Sequence, residues 1–221
     1  MAHGERRAGC YLRGMSKDAP PADSSVFEPT EIDPIALYAS ERERAQPGEP
    51  WEAAATVLAT VDATGRPKAR YVLVKEIDAA GFRFYTNAKS DKAEELRREA
   101  RAALCTFWPS IGVQFRVEGT VEPVSDEVSD AYFAARPRIS QLGAWASDQS
   151  QPLASRELLL ARLAEVEARF QGAPVPRPPH WGGYLLVPTR IEHWVNGEHR
   201  LHDRFVYERH GQLWTRARLS P

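Results

Sequence analysis

The sequence has few cysteines and no long apolar run. Only two of its 221 residues are cysteines, Cys10 and Cys105, too few and too differently placed to form a disulfide framework. It contains no uninterrupted stretch of roughly 18 apolar residues, the length a membrane-spanning helix needs, and its beginning has no hydrophobic core of a secretory signal. We therefore expect a cytoplasmic protein in a reducing compartment, with no membrane partner.

An excess of charge of one sign is also missing. The chain has 29 basic and 30 acidic residues and a net charge of -1, so no global field favours nucleic acid. The signatures of serine and cysteine hydrolases, the CxxC and HExxH patterns of zinc sites and the GxGxxG pattern of dinucleotide sites are absent as well. Nucleophilic, zinc and dinucleotide chemistry thus have no support, and we expect no metal site.

What is present is enough apolar sequence for one core, at 43% of the residues. Residues 1–29 mix Gly, Pro, Ser and charge without a period and are expected to form a disordered arm, leaving 30–221 as one domain. Many short strands without alternating strand–helix units favour an antiparallel barrel. The predicted strands are 55–62, 69–77, 82–86, 102–108, 114–122, 184–188, 190–195, 200–208 and 212–219.

Helices are predicted between these strands. Residues 34–46 and 91–99 carry capping signals, and Ser125 begins a helix that Arg136 and Pro137 end. Residues 142–150 read as irregular. The amphipathic segment 155–170 is expected to cover one mouth of the barrel.

The segment from Trp194 to Arg204 concentrates cationic side chains at every second position. If the segment is extended, Arg200, His202 and Arg204 share one face of a strand. A cationic face beside Trp194 suits a planar anionic ligand. An exposed edge strand carrying protective charges is the alternative.

Two further groups suit phosphate. Arg70 and Lys75 lie on opposite faces of a strand unless it bulges, which predicts two anion subsites. The turn after Tyr85 and Thr86 leads to Lys92 at a helix start, a seat for phosphate or simply a capped surface helix.

Tyr132, Arg136 and Ser140 are spaced by four residues. Although Pro137 interrupts the helix, a phenol, a guanidinium and a hydroxyl that converge suit a second phosphate. The alternative is a C-terminal helix arginine beside an exposed tyrosine.

Taken together, these segments resemble the pyridoxine/pyridoxamine 5'-phosphate oxidase family over residues 31–221. The motifs are RYVLVK, GFRFYTN, SDKAEEL, YFAARPRISQLGAWASDQS, WGGY, IEHW and GEHRLHDR. The resemblance implies a mainly β (α+β) fold, an FMN-binding split β-barrel with flanking helices. It also implies a homodimer with FMN at the interface, which oxidises phosphorylated B6 vitamers with O2. A phenazine-type FMN oxidase and a flavin- or pyridoxal-phosphate-binding module without turnover remain alternatives.

The resemblance also assigns residues by motif. The FMN phosphate would be held by Arg70, Lys92 and Ser150. The rest of the cofactor would lie against Tyr71, Val72, Leu73, Val74, Lys75, Tyr85, Thr86, Gln114, Gln149, Trp194 and Arg204. Lys75, Tyr132, Arg136 and Ser140 would bind the substrate phosphate, while Arg200, Leu201 and His202 would cover its ring, with Arg200 and His202 as catalytic residues.

The chain departs from the family pattern at three positions. The family usually has arginine at the positions of Asp91 and Val113, and an aromatic residue at that of His193. Because a carboxylate facing a phosphate would be repelled, we expect Asp91 to point to solvent at its helix N-terminus.

Overall fold

A computed structural model describes residues 27–49 and 51–221 of the chain. Within these residues the chain forms nine strands, five helices and two short 3-10 turns. The strands are β1 (Glu28–Thr30), β2 (Ala55–Val61), β3 (Pro67–Asp78), β4 (Gly81–Asn87), β5 (Arg101–Trp108), β6 (Val113–Pro123), β7 (Trp181–Val195), β8 (Asp203–His210) and β9 (Leu213–Leu219). The helices are α1 (Pro34–Ala45), α2 (Asp91–Arg98), α3 (Asp126–Ala135), α4 (Arg138–Ala146) and α5 (Arg156–Arg169).

The strands form one antiparallel sheet that closes on itself. Its order is β1-β9-β8-β7-β4-β3-β2-β5-β6, and an additional pairing joins β6 to β7. Six strands, β7-β4-β3-β2-β5-β6, thereby form a closed barrel, while β8, β9 and β1 extend the sheet beyond β7. Closure removes two exposed edges. The prediction of a mainly β split barrel with flanking helices is confirmed.

The barrel core is built around Tyr38 of α1. Asp33 caps this helix by accepting a hydrogen bond from the Ile35 N–H, and Pro34 takes the first turn, where its missing N–H costs nothing. The Tyr38 ring is fully buried and meets Phe82, Trp108 and Phe115 edge-on at 4.9–5.1 Å. Its hydroxyl lies 2.7 Å from the Thr106 hydroxyl, so the buried phenol keeps a partner.

Some predicted elements were wrong. Residues 142–150 are not wholly irregular, since α4 runs to Ala146. The expectation for 155–170 also fails: α5 packs mainly against α4 and has no fully buried residue, while Ile35, Tyr38 and Ala45 of α1 belong to the barrel core.

The two strands predicted at 184–188 and 190–195 form one strand, β7. A register shift opposite Glu118 and Gly119 leaves Thr189 as an extra residue of β7. Gly119 is required there, because a Cβ would lie 2.1 Å from the Val187 carbonyl oxygen.

The strand predicted at 200–208 begins only at Asp203. Arg200 lies instead in the 3-10 turn Glu198–Arg200, with a left-handed backbone at φ 65°, so it does not alternate with His202 and Arg204 on one strand.

Most of the predicted disordered arm, residues 1–26, lies outside the described residues, and Glu28 and Pro29 belong to β1. The helices that the structure describes are all too short or too polar to cross a membrane.

Candidate active site

The first group of predicted site residues surrounds the start of α2. Lys92 Nζ donates to the Thr86 hydroxyl at 3.1 Å and to the Ser90 hydroxyl at 3.2 Å. Thr86 in turn donates to Gln149 Oε1 at 3.1 Å. The Ser150 hydroxyl accepts from the Asp91 N–H at 3.3 Å. Together with Arg70 we call these residues the α2 cluster; its members are Arg70, Thr86, Ser90, Lys92, Gln149 and Ser150.

The electrostatics of the α2 cluster favour an anion. Arg70 binds Glu95 Oε2 at 2.6 Å through Nη2. Lys92 is buried, and this burial, followed by the nearby charge of Arg70, lowers its pKa. The negative charge of a bound phosphate would raise the pKa of Lys92 again and offset the repulsion between Lys92 and Arg70. The Ser90 side chain donates to the Asn87 carbonyl rather than capping α2.

The remaining predicted residues of the RYVLVK motif lie on both faces of strand β3. Val72 and Val74 are in the barrel core, whereas Tyr71 and Leu73 are exposed on the outer face. The strand bulges against β4 between Val74 and Glu76, at Lys75. Lys75 pairs with Glu52 rather than with the Glu95 that holds Arg70. The two cations thus pair with different carboxylates, and the bulge at Lys75 is the exception that the prediction of opposite faces allowed for.

Arg136 and Ser140 line a cleft of about 350 Å³ beside the α2 cluster. The Arg136 guanidinium lies 4.9 Å from the Trp181 ring centroid, and its buried Nη1 has no hydrogen-bond partner among the described residues. Burial lowers the pKa of Arg136. A buried donor without a partner is costly, so the cleft is suited to an acceptor such as phosphate. We call it the α4 cleft; it is also lined by Tyr85, Thr86, Asn87, Gly143, Ala144, Ser147, Gln149 and Trp181.

Two rings of an aromatic stack, Tyr85 and Trp181, line this cleft. Tyr85 and Tyr132 are parallel with centroids 3.9 Å apart, and Trp181 lies parallel to Tyr85 at 5.4 Å. The Tyr85 hydroxyl donates to Glu76 Oε1 at 2.8 Å, and burial followed by this bond raises the pKa of Tyr85. Gly183 is required behind the stack, because a Cβ would lie 2.6 Å from the Tyr85 ring.

The second group lies at the other end of β7. Gln114 of β6 and Arg204 of β8 are both directly opposite Trp194. The His202 ring lies 4.5 Å from Trp194, and its Nδ1 accepts from the Gly197 N–H at 3.2 Å. Arg200 and Leu201 are exposed. We call this group the Trp194 cluster; its members are Gln114, Trp194, Arg200, Leu201, His202 and Arg204.

The structure therefore brings the predicted residues together in two places rather than one. Thr86 pairs with Gly182 at the start of β7, whereas Trp194 is next to its end. Gly182 and Trp194 are 12 residues apart on this strand, a path along the chain of roughly 40 Å at ~3.3 Å per residue. The α2 cluster and α4 cleft share Thr86 and Gln149, while the Trp194 cluster lies apart from them in the same chain.

Sequence reasoning missed the carboxylates that hold the basic side chains. Glu95 binds Arg70, Glu192 binds Arg204 and Glu52 pairs with Lys75. Only Glu95 had a local signal, since it lies one helical turn after Lys92 on α2. Trp181 in the cleft was also missed, because its contact with Arg136 joins residues far apart in sequence.

Comparison with known proteins assigns the chain to a family. The model of the pyridoxamine 5'-phosphate oxidase family matches residues 50–170, and that of the pyridoxine 5'-phosphate oxidase C-terminal dimerisation region matches residues 181–221. The chain is 53% identical over 221 residues to a pyridoxine/pyridoxamine 5'-phosphate oxidase from Rubrobacter xylanophilus, covering 100% of both chains. It is 53% identical to the same enzyme from Anaeromyxobacter dehalogenans, covering 86% of this chain and 96% of the relative.

Solved structures share the fold. PhzG from Burkholderia lata, in complex with tetrahydrophenazine-1-carboxylic acid, is 33% identical with a TM-score of 0.80, covering 86% of this chain and 93% of that one. An FMN-binding protein from Nostoc punctiforme, at 19% identity and a TM-score of 0.70 over 87% of this chain and 100% of that one, shares the fold alone. On the family models and these relatives, the chain belongs to the pyridoxine/pyridoxamine 5'-phosphate oxidase family.

Proposed function

We propose that this protein is an FMN-dependent oxidase that converts pyridoxine 5'-phosphate and pyridoxamine 5'-phosphate into pyridoxal 5'-phosphate. Dioxygen is the acceptor, hydrogen peroxide is formed, and the amine substrate also takes up water and releases ammonia. The observation that carries the proposal is the junction of two basic sites in one chain: the α2 cluster around Lys92 and the α4 cleft around Arg136 share Thr86 and Gln149. Two neighbouring anion sites fit a phosphorylated cofactor beside a phosphorylated substrate.

FMN fits the residues of the α2 cluster. Lys92 and Arg70 supply positive charge. The Ser150 hydroxyl accepts from the Asp91 N–H and keeps its own proton to donate, while the Thr86 hydroxyl accepts from Lys92. The Asp91 side chain is exposed, so its carboxylate is not buried among these groups. The first turn of α2 adds the positive end of the helix dipole. These groups would hold the FMN phosphate.

The substrate phosphate would be held in the α4 cleft. Arg136 offers a buried Nη1 without a partner among the described residues, and Ser140 lies beside it. Tyr132 is stacked on Tyr85, which lines the cleft. Burial raises the pKa of Tyr132, which keeps its phenol protonated and able to donate to a phosphate oxygen.

The Trp194 cluster would meet the rings of cofactor and substrate. When bound, FMN supplies the chemistry, accepting a hydride from the carbon that becomes the aldehyde and passing the electrons to dioxygen. Arg204 would place a fixed cation beside the ring system, where negative charge develops on reduction. Arg200 and His202 would cover the substrate ring. Preorganised positioning of two planar molecules accounts for most of the expected rate enhancement.

The separation of the two groups supports a homodimer with FMN at its interface. A flavin mononucleotide is much shorter than β7, so the α2 cluster and the Trp194 cluster of one chain would serve different sites. The outer face of the barrel carries Tyr71, Leu73 and Phe107, which are 68%, 38% and 53% exposed. An exposed apolar sheet face of this kind fits an interface with a second copy.

Peroxide formation tests the activity. Purified protein loaded with FMN should produce peroxide and pyridoxal 5'-phosphate from pyridoxamine 5'-phosphate, and much less from unphosphorylated pyridoxamine. A tetrahydrophenazine carboxylic acid serves as the competing substrate, since PhzG was solved in complex with one. Turnover of the phenazine alone would favour the phenazine-type oxidase, and bound FMN without turnover of either would favour a binding module.

Subunit complementation tests the shared site. Lys92→Leu and Arg204→Leu should each abolish turnover. When the two variants are co-expressed, random assortment makes half of the dimers mixed, and each mixed dimer has one intact site, so about a quarter of the wild-type activity should return. If all the residues of one site came from one chain, co-expression would restore nothing.

A further inference from the structure

Glu192 is a buried carboxylate on the outer face of β7. Its side chain is 3% exposed, although it lies on the same face as Trp194. Carboxylates are seldom buried unless cations compensate them. The burial of Glu192 therefore requires neighbouring cations, and two arginines supply them.

Arg204 is one of the groups that cover it. Glu192 Oε1 accepts from Arg204 Nε at 2.9 Å and lies 2.8 Å from Nη2. The third nitrogen, Nη1, donates to the Ser220 carbonyl oxygen at 2.9 Å. All three guanidinium nitrogens are thus engaged within the chain, and the direction of the guanidinium plane is fixed. A guanidinium has five N–H donors, so donors remain for a ligand.

Arg116 is the second group. Its Nη1 lies 3.4 Å from Glu192 Oε2, an oxygen that accepts no hydrogen bond from the described residues. Glu192 therefore lies between two cations, and its negative charge offsets part of the field that Arg204 exerts.

We propose that Glu192 is a positioning residue that acts through Arg204. It fixes the guanidinium towards the flavin ring and moderates its positive charge there. The inference rests on the proposed function, in which Arg204 meets the flavin. Because negative charge accumulates on a flavin as it is reduced, an unmoderated Arg204 would favour the reduced cofactor.

Two substitutions separate charge from position. Glu192→Gln keeps an acceptor oxygen for Arg204 but removes the charge. FMN should still bind, and the preference for reduced over oxidised FMN should rise on the order of tenfold, or about 30 mV in the midpoint potential of the two-electron couple. Glu192→Asp keeps the charge but draws the carboxylate back from Arg204. It should weaken FMN binding by the apoprotein roughly tenfold and change the potential little.

Glu118→Gln is the matched control. Glu118 belongs to the same outer face and contacts Arg116 at 3.1 Å and Arg190 at 3.0 Å, but not Arg204. It should leave both the potential and the FMN affinity near their wild-type values. Equal potentials for Glu192→Gln and Glu118→Gln, with unchanged FMN affinity in Glu192→Asp, would overturn the inference and leave Glu192 as a structural ion pair.

A double-mutant cycle of Glu192→Asp with Arg204→Lys, measured as FMN affinity, gives a second readout. Non-additive effects support action through Arg204, and additive effects overturn it. Should Glu192→Gln fail to fold, this cycle alone decides. A wild-type protein that takes up no FMN would overturn the proposed function and this inference together, whereas normal FMN uptake with an additive cycle overturns the inference alone.

Discussion

The two ends of β7 differ in how their polar side chains are held. At the start of the strand, Lys92, Thr86 and Gln149 are linked by hydrogen bonds, and Arg70 is paired with the buried Glu95. At its end, Arg200 is exposed in a turn where it and His199 have left-handed backbones. Residues at the first end thus contribute to the stability of the chain, and under the proposed function they also bind the cofactor, whereas Arg200 would act on a ligand alone.

Breaking the Arg70–Glu95 pair should have the largest effect on the fold. Arg70→Met leaves a buried carboxylate without its cation, which costs about 3 kcal/mol of unfolding free energy. Urea unfolding of the apoprotein measures this loss. The matched control is Lys68→Met on the same strand. Its pair with Asp62 at 3.4 Å is more exposed, with side chains 45% and 22% exposed against 22% and 9% for Arg70 and Glu95, and should be worth less than about 1 kcal/mol. Equal losses in the two variants would contradict the distinction.

At the far end of β7, substitutions should lower activity and leave the fold intact. Arg200→Leu or His202→Leu should leave the folded, yellow FMN protein intact but raise KM. Loss of one charge-assisted contact to the substrate, worth roughly 1.5 to 3 kcal/mol, lowers kcat/KM about ten- to a hundredfold. Steady-state kinetics with pyridoxamine 5'-phosphate and the flavin absorbance of the purified protein provide the two measurements. Loss of flavin would instead assign these residues to the cofactor.

His193, near the end of β7, should make the free energy of unfolding fall in acid. Its ring is stacked on Phe115 at 4.7 Å, and its buried Nε2 has no partner among the described residues. Burial is the main cause of its lowered pKa; Arg44 acts in the same direction and Glu41 opposes it. Because the unfolded chain binds the proton more readily, stability is full above about pH 6.5 and falls as the pH drops below it.

His193→Phe should remove this pH dependence. It also removes an unsatisfied buried group, so the variant should be more stable than wild type by about 1 kcal/mol at pH 8 and by more at pH 5.5. Urea unfolding at both pH values checks this. A difference that stays constant with pH would show that folding leaves the pKa of His193 unchanged.

The smallest expected effect concerns Asp91, beside the α2 cluster near the start of β7. Asp91 is exposed at the first position of α2, where the helix dipole favours a carboxylate. Asp91→Arg adds a cation at the rim of the α2 cluster without removing a side-chain contact, so FMN should bind a few-fold more tightly. Titration of both apoproteins with FMN measures the change. Equal or weaker binding would place Asp91 outside the phosphate site or give its carboxylate another role.

The comparison also explains how far sequence reasoning reached. The individual strands and the antiparallel barrel class follow from alternation and turns that act over a few residues, so these were predicted. Lys92 at the start of α2 was predicted for the same reason, because the acidic first turn and the serine before it are adjacent in sequence. The pairings of β7 with β4 and β6, which close the barrel, join strands far apart in sequence and were not predicted.

The errors arose where a local sequence pattern was misleading. Gly143 and its small neighbours read as irregular, but Leu142 is buried and Gln141 donates to the Phe133 carbonyl at 3.0 Å, so tertiary contacts stabilise α4. The alternation of Arg200, His202 and Arg204 resembled a strand. The intervening Leu201 is 72% exposed, however, and gives a strand nothing to bury. The partners Glu95 and Glu192 required the folded structure, because their cations lie on other elements.

The extra residue in β7 has a consequence for insertions and deletions. Before Thr189 the even-numbered side chains, such as Tyr184 and Leu186, face the core; after it the odd-numbered Ile191 and His193 do. Removing Thr189 would therefore restore regular alternation without turning either half of the strand inside out. A deletion between Ile191 and Trp194 would instead turn the core-facing side chains of part of the strand to the surface and its surface side chains to the core. Strand β7 can thus lose a residue at Thr189 while the side chains on either side of that position keep facing the same way.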